Sequence, residues 1–186
     1  DFGKINTNWK FLIENFIEPY HVQFVHKSTT NQPLKDHYTI VDGICYGSGV
    51  DVKQEDNKNS SALSVTSRYL SLFPNFIIGT YFPNQIGVYL NVPISPGVTS
   101  QKRIIYTTDG KDMSKEESDI VKKIWWSVHK EDHEMCERLQ EGRLSPASNQ
   151  GGLLSPYWEK GVQKFQKLII QATMKSSKTM KGKKNV

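Results

Sequence analysis

Between Ala62 and Thr108 the chain alternates short apolar, β-branched runs with breaks that no helix tolerates. The runs LSV, RYLSLF, NFIIGTYF, IGVYLNV and RIIYTT are separated by Pro74, by Pro83-Asn84 and by the stretch from Pro93 to Gly97. Proline fixes φ and withholds an amide, so the chain must turn at these points. Runs this short and closely spaced predict an antiparallel meander. His37 to Val50, interrupted by Gly43, Gly47 and Gly49, predicts a strand or two with turns ahead of it. Asp51 to Ser61 has no large apolar residue after Val52 and predicts a solvent loop. Ser114 then opens a long helix, with Glu117 completing a capping box. Its apolar positions Ile120, Val121, Ile124, Trp125, Val128, Met135 and Leu139 recur at steps of three and four, and Gly142 is the expected stop. Leu144 to Ser155 predicts a loop, and Pro156 the first turn of a final helix whose stripe runs through Trp158, Val162, Phe165, Leu168, Ile169 and Ala172. The class is α+β.

The segment Asn8 to His26 carries the chemistry. Trp9, Leu12, Ile13, Phe16 and Ile17 recur at helical spacing behind Asn8 as N-cap. Glu14, Glu18, His21 and His26 are interleaved with them, and polar groups entering a core need partners. Two imidazoles and one carboxylate from elsewhere form the set that holds non-haem Fe(II) with positions left open. His26 follows His21 by five residues, about 500° of turn, which leaves the side chains about 140° apart on a straight helix. Pro19 predicts an interruption just before the pair, where convergence requires one. Taken alone, a pair of this spacing is more often two satisfied core or surface histidines than a metal site.

The full string says more. NWK, then EN, then E-x-YH-x4-H (Asn8 to His26) resembles the iron-binding segment of the catalytic domain of Rieske non-haem iron oxygenases, the ring-hydroxylating oxygenase alpha subunits. A second segment, E-D-x-x-x-C-E-x-x-Q-x-G from Glu131 to Gly142, resembles the stretch that supplies that family's third iron ligand. A third, LFPNFIIGTYFPNQIGVYLNVPISPG, is similar more loosely. The resemblance implies His21, His26 and Asp132 as ligands of a mononuclear Fe(II), with Glu131 the rival carboxylate. It implies Glu18 as the electron-transfer bridge to a Rieske [2Fe–2S] cluster on a neighbouring subunit, where many members have Asp. Asn15 supports the site in relatives; a structural role as cap or core hydrogen-bonder stands beside that one. The implied fold is the α+β helix-grip (Bet v1/START-like) arrangement, a curved antiparallel sheet packed against long helices. Residues 1–174 would form the catalytic domain, with the 144–155 loop covering the pocket and 27–36 near its mouth. The implied reaction is hydroxylation, dihydroxylation or oxidative demethylation of an aromatic or quaternary-amine substrate with dioxygen, with electrons from a reductase and a Rieske domain in a homotrimer. Tyr69, Phe73, Phe76, Tyr81 and Tyr89 could line the substrate pocket, and Trp125, Trp126, Tyr157 and Trp158 could supply cation–π contacts.

Composition narrows the alternatives. A Rieske centre needs two cysteines and two histidines. Cys45 and Cys136 are isolated without flanking histidines, so the cluster is expected on a missing domain or a partner chain. The start, directly into the iron segment, favours a fragment. Of 24 basic residues five lie within residues 175–186, leaving 19 against 19 acidic ones, so the net charge of +5 predicts a disordered solvated tail rather than a nucleic-acid surface. No run of 18 apolar residues and no leader is seen, and the expectation is a cytoplasmic chain away from membranes. His129 and His133 have zinc spacing on one helix, but Lys130 stands where the metalloprotease motif places its glutamate. Two rival readings remain, a zinc hydrolase using that pair and a non-enzymatic helix-grip module for a hydrophobic ligand. The discriminator is convergence of His21, His26 and Asp132.

Overall fold

In the computed structural model, which describes residues 1–30, 32–52 and 66–182, with side chains to Ser176, seven strands form one antiparallel sheet. They are β1 (Gly3–Ile5), β2 (His37–Asp42), β3 (Cys45–Val50), β4 (Ser67–Leu72), β5 (Phe76–Tyr81), β6 (Gln85–Ser95) and β7 (Val98–Thr107), in the order β1-β7-β6-β5-β4-β3-β2. β2 to β7 are a plain meander, as the punctuated runs predict. β1 closes the far edge against β7 and had no sequence signal; three residues are too short to show a period. Most of the 51–61 loop, and the LSV run, lie outside the described residues.

Four helices accompany the sheet: α1 (Trp9–Ile17), α2 (Val22–Val25), α3 (Lys115–Arg143) and α4 (Lys160–Gly182). Asn8 caps α1 by accepting from Lys10 N, and Ser114 with Glu117 forms the expected capping box on α3. Ile13 and Ile17 of α1, Val162 and Phe165 of α4, and Tyr46, Ile77 and Tyr89 of the sheet make the main core. A second cluster, Tyr81, Trp125 and Val128, seats α3 on the sheet. α4 crosses β3 closely: a Cβ on Gly161 would lie 3.4 Å from the Gly47 amide nitrogen. This is the helix-grip arrangement.

α4 begins four residues later than Pro156 predicts. Ser155 and Glu159 make a separate turn, in which Glu159 accepts from Ser155 N at 2.6 Å and Ser155 Oγ accepts from Tyr157 and Trp158 amides. At its other end the helical backbone continues to Gly182, past Lys175, where composition alone predicts a solvated tail. The 144–155 loop does not cover the central cavity. It carries a short 3-10 turn at Pro146–Gln150 and lines a separate cleft with Phe11, Met135 and Leu139.

Candidate metal centre

Glu18 ends α1 in extended conformation (φ −108°, ψ 141°), Pro19 follows, and α2 starts after His21. This interruption removes the phase problem of a straight helix. His21 and His26 flank the single turn of α2, and their ring centroids are 5.2 Å apart. α3 brings Asp132 to them across the domain, held just ahead of α1 where the Thr7 hydroxyl donates to the Cys136 carbonyl at 2.9 Å.

Asp132 Oδ1 lies 3.0 Å from His26 Nε2 and 3.5 Å from His21 Nε2. One donor atom from each of the three residues falls within 4.8 Å of the others, and among the described residues no other such cluster exists. The opposite nitrogen of each imidazole is held by another acid: His21 Nδ1 by Glu18 Oε1 at 2.5 Å, His26 Nδ1 by Glu131 Oε2 at 2.8 Å. A carboxylate behind each ring fixes its orientation and aims Nε2 inward, the pattern that orients metal-ligating histidines. The rival carboxylate Glu131 is thereby placed on the outer side of His26, where Thr29 Oγ1 also donates to it at 2.6 Å. Asn15 Nδ2 donates to Asp132 Oδ1 at 2.8 Å. Glu18 Oε2 accepts from the amides of Tyr20 and His21, and its side chain is 12% exposed, so it links His21 to the surface.

Charge balance describes the same centre. Burial opposes a charge on Asp132 and is outweighed by His129, His21 and His26, which hold its carboxyl well below the usual range. Burial also opposes a charge on His21, but Glu18 and Asp132 outweigh it and push its pKa up to about 10. The same opposition, with Asp132 and Glu131 as the acids, raises His26. The donor set therefore calls for positive charge at the two Nε2 atoms, which a divalent cation supplies as well as protons do. Two imidazoles and a carboxylate fit non-haem Fe(II).

A cavity of about 40 Å³ opens beside the centre. Phe16, Tyr69, Tyr81, Tyr89 and Trp125 give it aromatic walls, and among the described residues no Lys or Arg lines it. Thr30, His37 and Ser48 also line it; the buried Thr30 Oγ1 and Ser48 Oγ have no hydrogen-bond partner, and the His37 ring has only a weak contact with the Gln32 backbone. His37 and Ser48 share a face of the β2–β3 hairpin, since His37 pairs with Val50 two residues along from Ser48. Phe73 and Phe76 are elsewhere, the first against Phe165 of α4, the second exposed on the outer face. The four residues expected to cage a cation do not converge. Trp126 is 54% exposed and stacked on Phe2, Tyr157 is exposed, Trp158 stacks on Tyr20, and the Trp125 face is taken by Arg103 at 3.7 Å. His129 and His133 do not form a zinc pair either: His129 Nε2 is 2.7 Å from Arg103, and His133 Nε2 donates to Gln101 Oε1 at 2.7 Å. Arg103 carries no local signal, because only the register of β7 brings it to α3.

A helix-grip domain with two imidazoles and a carboxylate gathered inside it has the architecture of ring-hydroxylating oxygenase catalytic domains. A family model described as ring hydroxylating alpha subunit (catalytic domain) matches residues 3–174, and the chain belongs to that family. It is 28% identical over 165 residues to choline monooxygenase of Atriplex hortensis, covering 87% of this chain and 36% of that protein. The choline monooxygenase of Spinacia oleracea is 23% identical over 177 residues, covering 92% and 39%. The chain thus spans little more than a third of these relatives. Among solved structures, the quaternary ammonium Rieske monooxygenase CntA in complex with L-carnitine superposes with a TM-score of 0.69 at 18% identity, covering 90% of this chain and 46% of that one. Dicamba monooxygenase bound to 3,6-dichlorosalicylic acid gives 0.64 at 16%, covering 94% and 58%. At these identities the likeness is one of fold. No helix among the described residues is long and apolar enough to cross a membrane.

Proposed function

We propose that this chain is the iron-bearing catalytic part of a Rieske oxygenase, with Fe(II) held by Nε2 of His21, Nε2 of His26 and the Asp132 carboxylate. The observation that carries the reading is the convergence of those three donors with a separate acid behind each imidazole. Bound there, Fe(II) supplies dioxygen activation and oxidation of an organic substrate. Glu18 is the electron-transfer bridge in this reading: it is bonded to His21 Nδ1 and reaches the surface, where a Rieske [2Fe–2S] cluster on another domain or subunit can approach. The homotrimer and the reductase belong to the same proposal, supported by inter-subunit electron transfer named for CntA.

The substrate we favour is a small quaternary amine bearing a hydroxyl, of the choline type. Phe16 and Tyr69 in the lining suit a cationic methylammonium group, whereas Tyr81, Tyr89 and Trp125 already face Arg103. The unpartnered hydroxyls of Thr30 and Ser48, with the His37 ring beside them, suit a neutral hydroxyl, which both donates and accepts. Among the described residues no Lys or Arg lines the cavity to pair with a substrate carboxylate. Choline monooxygenases among the relatives point the same way.

The test is metal content after anaerobic reconstitution with Fe(II), comparing the chain with His21→Ala and Asp132→Ala. Near-stoichiometric iron lost in both folded variants is expected; a wild type that takes up none sinks the reading. Thermal protection of the loaded chain by choline, L-carnitine and dicamba then tests the substrate, and protection by dicamba alone would reject the amine class.

A further inference from the structure

Arg103 is a half-buried cation with no acid beside it. From β7 its guanidinium reaches toward α3 and lies 3.7 Å from the Trp125 ring centroid, 4.7 Å from that of Tyr89 and 5.2 Å from that of Tyr81. Among the described residues no carboxylate lies within ion-pair distance of it, and its buried Nε and Nη2 have no partner. Its hydrogen bond goes to an imidazole instead: Nη1 is 2.7 Å from His129 Nε2. A guanidinium only donates, so His129 Nε2 accepts and bears no proton. The Tyr89 hydroxyl sits 3.1 Å from the same nitrogen. The proton of the neutral ring is therefore on Nδ1, and Nδ1 is the atom 3.5 Å from Asp132 Oδ2.

The ring has no room to turn. Phe2 meets it edge-on at 5.0 Å and Tyr89 at 5.2 Å, while Trp125 and His133 stack on it at 6.2 and 6.1 Å between centroids. On the other side of the carboxylate, Oδ1 faces Asn15, His26 and His21. We propose, resting on the iron reading above, that Arg103 and His129 are positioning residues for Asp132. Arg103 locks the His129 tautomer, His129 presents an N–H dipole to Oδ2, and Oδ1 is thereby left as the oxygen turned toward His21 and His26. The N–H to carboxylate contact is long, so its role is to set the rotation of the carboxylate rather than to bind it tightly.

Two measurements test this. Long-range ¹H–¹⁵N NMR of the metal-free chain should show His129 as the Nδ1–H tautomer, retained in Arg103→Lys and lost or mixed in Arg103→Met. Titration with Co(II), read by its visible spectrum, should show affinity about 10- to 100-fold weaker and an altered ligand-field spectrum in His129→Leu. An Nε2–H tautomer in the wild type overturns the proposal, as does a folded His129→Leu that binds Co(II) with unchanged affinity and spectrum. A wild type that binds neither Co(II) nor Fe(II) overturns the iron reading and takes this one with it; binding by the wild type and His129→Leu alike removes this one alone.

Discussion

Glu131 and Asp132 are adjacent acids with different work, and their substitution separates them. Asp132→Ala removes a ligand and should abolish metal uptake. Glu131→Ala only frees the back of the His26 ring, and should weaken Co(II) binding by about 10- to 100-fold while leaving stoichiometry intact. Equal effects in a metal titration would reject this division. His37 is the second residue to test. Its buried ring is held neutral and has no side-chain partner, so His37→Leu should change thermal stability at pH 7 little, while choline affinity of the loaded chain falls. At this scale the resemblance of two short segments singled out His21, His26, Asp132, Glu18 and Asn15, which the fold brings together, whereas the spacing of the two histidines alone pointed to no convergence. Glu131's partner, the His37–Ser48 pairing and Arg103 were not legible, since each depends on which strand or helix lies opposite, and that is written in no single segment.

Punctuation is what made the elements legible. Prolines and glycines bounded β3 to β6, and the capping box at Ser114 announced α3. Composition misled at α4, where a turn tied by Ser155 and Glu159 delays the helix and good helix formers carry its backbone on to Gly182. One glycine is needed for packing rather than for turning. A Cβ on Gly47 would fall 1.8 Å from the Tyr69 carbonyl oxygen, inside the β3–β4 ladder and under α4. Gly47→Ala should therefore destabilise by at least the roughly 1–3 kcal/mol of an overpacked core, seen as a lower urea midpoint. A midpoint equal to wild type would mean that β3 can move away from Tyr69 without cost.

The molecule as a whole keeps two buried imidazoles neutral. Burial, with the nearby His21 charge, lowers His37 to about 4, and burial, with Arg103 close by, lowers His129 to about 4 despite Asp132. Both folded values lie below the ordinary 6.5, so between pH 6.5 and 4 the unfolded chain binds more protons than the folded one. Stability of the metal-free chain should fall as pH drops through that window, by up to about 1.4 kcal/mol per pH unit for each ring. Denaturant melts across the window check this, and His37→Leu should remove about half of the slope.

The break at Pro19 places two donors ahead of the meander; Glu18 is already beside His21, but the acids of α3 arrive only afterwards, His26 meeting Glu131 105 residues on, once the entire meander has been laid down. Closing so long a loop is slow and is completed late in folding, so little of the centre exists when the rate-limiting barrier is crossed. A metal that recognises only the finished centre should then act as a latch and not as a nucleus. Saturating Co(II) is expected to slow unfolding in stopped-flow jumps by the whole of its stabilisation and to leave the refolding rate unchanged. Faster refolding with metal would instead mean that α1 and α3 meet before the strands between them have paired.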